Sequence, residues 1–298
     1  MRLEATATVL PLTDVDLLRR VVPHLLTAVR AVPVVDGAPV DAWGRRCTGV
    51  QVTGVHPRPG TRYALTVPPA PTRAEAEATE IPVEAERELL GLRRRGDRAA
   101  VNAWYRRWLP ARAATGATPV VVELRTDTRA EVAVVVHLDG VQVEVELADP
   151  GSARAVVVRA SGVVAAGRRF ADGPVDGEAA VQLDRLPPRQ DRRPQVTASG
   201  SFRRGAGSLR LWVEPEGDRW RLRARVRVTG RGVLRPVVFL GGLFGRARVE
   251  QAVSGELARS SAGGVLSDLW GVFGPDPDPA EIAAVLVERV LVLARPDR

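Results

Sequence analysis

His137 is the residue best placed for acid–base chemistry in this chain. It stands near the end of a valine-rich run, and Asp139 follows two residues later. In an extended strand that spacing puts both side chains on one face, where a carboxylate can orient an imidazole for proton transfer. The same residues also fit a plainer role, a hairpin-end histidine bonded to turn carbonyls. His24 and His56 stand apart from His137 and from each other, with no metal-ligand spacing among the three. No metal and no cofactor is expected. Cys47 is the only cysteine and follows Arg45 and Arg46. Flanking cations lower a thiol pKa, but with no partner in sight Cys47 reads as a buried or spare thiol. A single cysteine excludes an intramolecular disulfide and a thiolate-rich metal site. An enzymatic role therefore rests on His137 and Asp139 alone.

Two other constellations point to binding. Trp104 and Trp108, four residues apart, share one helical face. With Arg94 and Arg98 among the neighbouring arginines, they offer an aromatic and basic surface to a protein partner across residues 83–112, or dock their own helix onto its domain. Arg221, Arg223, Arg225 and Arg227 alternate with Leu222, Ala224, Val226 and Val228. That is one basic face of a strand, and cross-strand pairing or solvation is the expected use of it. Gly241, Gly242 and Gly245 match neither a P-loop nor a dinucleotide fingerprint.

These residues belong to a chain of 298 amino acids that is 45% hydrophobic and carries a net charge of +8, a composition that folds rather than staying disordered. All 43 basic residues are arginine, which reads as the coding bias of a GC-rich bacterium. No helix-turn-helix, zinc-finger or RNP-type signature accompanies the charge, so nucleic acid is not an expected partner. No run reaches the roughly 18 apolar residues of a membrane-spanning helix, and residues 1–8 alternate like a strand rather than a signal peptide. A cytoplasmic protein is expected.

The elements that must position the candidates follow from periodicity. Residues 3–10 alternate as a strand; Thr13 or Asp14 then caps a helix that Pro33 ends. Short strands are expected at 48–55 and 61–67. Residues 72–118 change character to helical pieces at 74–79 and 83–108 and read as an inserted arm. From Pro119 the period becomes two, giving a meander of about nine strands to residue 229, paired antiparallel by short turns. Residues 234–262 carry a broad apolar helical face. Beyond Gly263 and Gly264, a C-terminal extension over 263–298 holds a helix opened by Asp278, Pro279 and Glu281 in a capping-box arrangement. Residues 1–71 and 119–262 make the main domain on this reading.

The segment Gly207-Ser-Leu-Arg-Leu-Trp-Val-Glu-Pro-Glu-Gly-Asp-Arg-Trp220, followed by Val226-Arg-Val-Thr-Gly-Arg-Gly-Val-Leu-Arg-Pro236 and the run to Ala258, resembles the end of START/polyketide-cyclase-like (SRPBCC, helix-grip) proteins. The strand-then-helix opening is similar to theirs too. The resemblance implies an α+β fold: a curved antiparallel sheet gripping a long C-terminal helix around an apolar cavity for lipid- or polyketide-like molecules. On that basis Trp212 and Trp220 from the last strands, with Val237, Val238, Leu240, Leu243 and Phe244 from the closing helix, would line the chamber. The leading expectation is a soluble protein that binds a hydrophobic small molecule. The alternatives are a non-catalytic assembly protein working through the Arg/Trp arm, and a cyclase- or dehydratase-type enzyme.

Overall fold

The computed structural model describes residues 2–9, 14–67, 81–108, 118–138, 140–164, 173–186, 193–203, 205–217, 219–230, 272–273 and 278–293. The expected helix at 234–262, with Val237, Val238, Leu240, Leu243 and Phe244, lies outside these residues, as do Asp139 and the helical piece at 74–79.

The chain is α+β, with four α-helices among the described residues and an antiparallel sheet of eleven strands. It divides into two compact units, Met1–Arg20 with Arg125–Gly264, and Val21–Leu124 with Val265–Arg298. In the first unit β1 (Arg2–Val9) pairs with β13 (Arg219–Gly230), followed in order by β12 (Gly205–Glu216), β11 (Val196–Phe202), β10 (Gly173–Gln182), β9 (Ala155–Val164), β8 (Val141–Ala148) and β7 (Glu131–Leu138). The sheet order continues through β6 (Thr118–Asp127) to β5 (Arg62–Val67) and β4 (Val50–Thr53), while β2 (Val34–Val35) and β3 (Ala38–Pro39) form a separate hairpin. The sheet is open, with β1 and β4 at its two ends.

Among the described residues the meander from Pro119 holds eight strands, β6 to β13. β9 runs without a break from Ala155 through Ser161 and Gly162 to Val164. Gly162 has φ 148°, and a Cβ there would meet the Gly140 carbonyl oxygen at 2.3 Å. Glycine permits both the backbone angle and the close approach, so it continues the strand instead of turning it.

The first helix, α1 (Asp14–Arg30), spans the boundary at Arg20; in the second unit, the single helix expected over 83–108 is two, α2 (Val83–Arg94) and α3 (Arg98–Trp108). Gly96 sits at φ 68°, and the Asp97 carboxylate accepts the Ala100 backbone N–H at 3.0 Å, stopping one helix and capping the next. The last helix, α4 (Pro279–Leu293), begins as its sequence requires: Asp278 Oδ1 accepts from Ala280 N at 2.9 Å. Glu281 does not complete the box. It takes both Nε and Nη2 of Arg94 instead, at 2.9 and 2.7 Å. Thus the presumed arm and the presumed extension belong to one unit, with Ala85, Leu89, Leu92, Val101, Trp104, Tyr105 and Val292 forming a common core cluster.

Candidate functional site: the two faces of an eight-stranded sheet

Register decides what each face of the first unit's sheet displays, because residues directly opposite in an antiparallel pair share a face. On β7 and β8 the pairs Val132–Leu147, Val134–Val145, Val136–Val143 and Leu138–Val141 fall together. Val145 leads to Val158, then Ala179, Ala198 and Leu209. Leu209 leads to Val226 and on to Leu3. Parallel rows carry Val156, Val181, Val196, Leu211 and Ala224. Valine, alanine, leucine, glycine, phenylalanine, proline and Trp220 account for every position on this face; none is charged, and the Trp220 indole N–H is its one polar side-chain group. At the β1/β13 end Leu3, Ala5, Trp220, Leu222 and Ala224 are buried. Across the middle strands Val143, Val145, Leu147, Val156, Val158, Val181, Val196 and Leu209 are only half-buried.

The opposite face carries the charged side chains, interspersed with Ala133, Val135, Val157 and Ala180. Arg159 bridges three carboxylates there, at 2.7 Å from Glu146, 3.0 Å from Glu178 and 3.8 Å from Glu144. The β13 arginines share this face and pair across strands. Arg225 reaches Glu4 at 2.9 Å, Arg223 reaches Glu214 at 3.3 Å, and Arg221 joins Glu216. Hydrogen bonding from Arg225, with a smaller contribution from Arg2, holds the Glu4 carboxyl below the usual carboxylate range. The expectation of paired arginines is met for these three.

Trp212 lies opposite Arg223, on the polar face, with the guanidinium groups of Arg223 and Arg225 at 5.0 and 5.6 Å from its ring. Trp220 lies on the apolar face. The two tryptophans expected to line one chamber therefore point to opposite sides of the sheet, since an odd number of residues separates their register positions (Trp212–Arg223 and Pro215–Trp220). His137 is half-buried on the polar side, opposite Gln142. With Asp139 outside the described residues, the acid–base pair has no geometry to report.

The Arg/Trp helices form an interior instead of a platform. Trp104 is 4% exposed and its indole N–H donates to the Ala85 carbonyl at 2.8 Å. The Trp104 and Trp108 ring centroids lie 6.4 Å apart with their planes tilted by 39°, and Trp108 is half-buried against the same core. Arg94 is committed to Glu281, while Arg98 is exposed. Burial of an aromatic pair against α4 outweighs its display to solvent, because the C-terminal helix supplies the apolar partner that residues 83–112 lack by themselves. Beside that core Arg93 pairs with Glu288 and Arg289 with Glu86; Glu288 is buried and its three companions are half-buried. Burial raises the Tyr105 pKa against the opposing pull of Arg93.

Also in the second unit, a groove of about 630 Å³ is lined by Arg30, Ala31, Val32, Pro33, Val34, Gly37, Val52, Gly54 and His56. His56 Nδ1 and the Tyr63 hydroxyl are 2.6 Å apart, with the rings edge-to-face at 5.7 Å. His56 Nε2 is buried and closes no hydrogen bond; desolvation lowers the pKa, with backbone of Val29 and Arg30 acting the other way. Sequence reasoning passed over His56 as a loop residue before Pro57. The available signal was Tyr63 on the next strand, within reach once 54–61 folds into turns held by Thr61 Oγ1 at Val55 O and Arg58 O. Cys47 is fully buried. Among the described residues no group of three His, Cys, Asp or Glu side chains is arranged to hold a metal, and no helix is long and apolar enough to cross a membrane.

No family model, curated protein or solved structure matches this chain.

Proposed function

We propose that the first unit binds a hydrophobic small molecule, lipid- or polyketide-like, against the apolar face of its sheet. One observation carries this reading: eight adjacent strands present an apolar face without a single charged side chain, and its centre is only half-buried. Seven interstrand spacings and strands of about eight residues make that face roughly 900 Å² in all; its β1/β13 end is buried, and the half-buried part is the middle strands. Apolar area of this kind recognises chains and rings by burial. Apart from the Trp220 indole N–H it holds no polar side-chain group and no titratable one, so a ligand's polar end stays at the rim and the role is binding rather than turnover.

The test is titration with a fluorescent fatty acid, read by energy transfer from tryptophan, with Trp220→Phe identifying the reporter. Saturable binding is expected, weakened at least several-fold in Val158→Thr, which keeps side-chain shape but puts a hydroxyl on the face. Absence of saturation, or equal affinity in Val158→Thr, overturns the reading.

A further inference from the structure

At one corner of the charged face the register sets like charges side by side. Arg2 lies directly opposite Arg227, and in the next row Arg225 lies opposite Arg210. Cations in that relation repel each other. One carboxylate, Glu4, serves all four; it takes Arg2 at 3.1 Å and Arg225 at 2.9 Å. Arg210 and Arg227 are left over. Both are exposed, and neither makes an ion pair among the described residues. They are diagonal neighbours on β12 and β13, with Cβ atoms within about 8 Å, so two guanidinium groups can close on one anion. The residues between and beside them are hydroxylic. Ser208 lies opposite Arg227 and shares a strand face with Arg210. Ser199 lies opposite Ser208, and Thr197 lies opposite Arg210. The next carboxylate along the row, Glu178 opposite Ser199, is already bonded to Arg159 at 3.0 Å.

We infer that Arg210 and Arg227, with Ser208, Ser199 and Thr197 beside them, bind the phosphate group of a phosphate monoester. Charge count selects this class. A monoester phosphate is close to a dianion near neutral pH, so it neutralises two cations at one point and accepts from guanidinium and hydroxyl donors together. A carboxylate brings one charge and leaves the second arginine unmatched. A nucleic-acid strand brings single charges in a row, and the row on β13 is not free: Arg221, Arg223 and Arg225 are taken by Glu216, Glu214 and Glu4. Trp212, the aromatic side chain of that flank, is buried and offers no ring for a base to stack on. A soluble phosphate monoester and a phosphatidic-acid headgroup present the same group, and vesicles separate the two sources. The site lies on the opposite face from the hydrophobic ligand and does not depend on it.

Calorimetric titration with phenyl phosphate at low ionic strength and about pH 8, where the group is doubly charged, should show one saturable site. Arg210→Gln with Arg227→Gln should weaken it at least about tenfold with unchanged circular dichroism. Arg58→Gln with Arg129→Gln removes the same charge from exposed positions elsewhere and should stay within about twofold of the native chain. Ser208→Asp sets a carboxylate between the two arginines, so it should abolish binding and raise the unfolding midpoint. Phosphatidylcholine vesicles carrying phosphatidic acid are then compared with vesicles carrying an equal charge of phosphatidylglycerol. Retention on phosphatidic acid that the Arg210/Arg227 variant loses assigns the headgroup; titration by phenyl phosphate without retention on vesicles assigns a soluble ligand. Absence of saturation together with absence of retention, equal weakening by the two arginine pairs, or retention by phosphatidylglycerol as strong as by phosphatidic acid overturns the proposal.

Discussion

The helical core of the second unit and the apolar sheet face of the first are built from the same kinds of residue, yet they are finished differently. Around α2, α3 and α4, Leu89, Val101 and Ile282 are fully buried, and even Glu288 is 4% exposed. On the sheet, Val145, Val156, Val158 and Val181 remain half-buried although no polar residue interrupts them. The first region spends its apolar surface on its own stability; the second keeps part of it accessible. Charge follows the same division. Arg93, Arg289, Glu86 and Glu288 are paired in an interior, whereas Arg159 and its three carboxylates sit where water already solvates them. Equal composition thus yields a structural region and an interactive one, and the difference is set by whether a partner element arrives to cover the face.

The largest effect expected to sharpen this contrast comes from Glu288→Ala. It leaves Arg93 charged and uncompensated in the helical core, at a cost of about 3–5 kcal/mol. Arg159→Ala on the sheet should leave the unfolding midpoint unchanged within error. Denaturant titration of both variants measures the difference, and equal effects would break the comparison. Leu89→Ala should come next, at about 2–5 kcal/mol for a fully enclosed side chain, against about 1 kcal/mol or less for Val158→Ala, whose site is already half open. The smallest effect is a pH dependence in the second unit. Burial lowers the His56 pKa, so the unfolded chain takes up the proton more readily than the folded one. The stability tied to this group is complete above the ordinary imidazole value of about 6.5 and declines as pH falls below it. Hydrogen exchange at residues 50–67 should accelerate between about pH 7 and about pH 5.5 in the native chain. The same experiment on His56→Gln should show a flatter response. Glu4 and Glu216, also held below their ordinary range, act only in the more acidic window beneath the carboxylate value.

Local periodicity carried most of the strands and α1 and α4 into view, because one buried face per element leaves a signature of period two or 3.6. The alternation of Arg221 to Val228 was enough to assign both faces of β13, and Asp278 with Pro279 marked the start of α4. What periodicity cannot carry is the identity of the partner. Nothing in residues 83–108 names α4 as their cover, since Arg94 meets Glu281 across 187 positions. Nor does alternation within β12 and β13 say that Trp212 and Trp220 fall on opposite sides; that needs the interstrand register, which a turn of several residues leaves open. The pairing of charges on the polar face was hidden for the same reason. Each strand carries an ordinary polar side, and only the strand order and register bring Arg225 beside Glu4 and set Arg159 among Glu144, Glu146 and Glu178. His56 was invisible because a histidine before proline in a loop has no pattern of its own.

The pairing of β1 with β13 joins Glu4 to Arg225 across 221 positions. At ribosomal speeds of about 5–20 residues per second, the first strand therefore waits at least about ten seconds for its neighbour. Throughout that interval Leu3 and Ala5 have nothing to lie beside, and the growing meander has only one of its flanks closed. The helices α2 and α3 wait in the same way for α4. The hairpins from β7 to β13 join sequence neighbours and can close as they emerge, whereas the β1 edge and the cover of α2 and α3 come last.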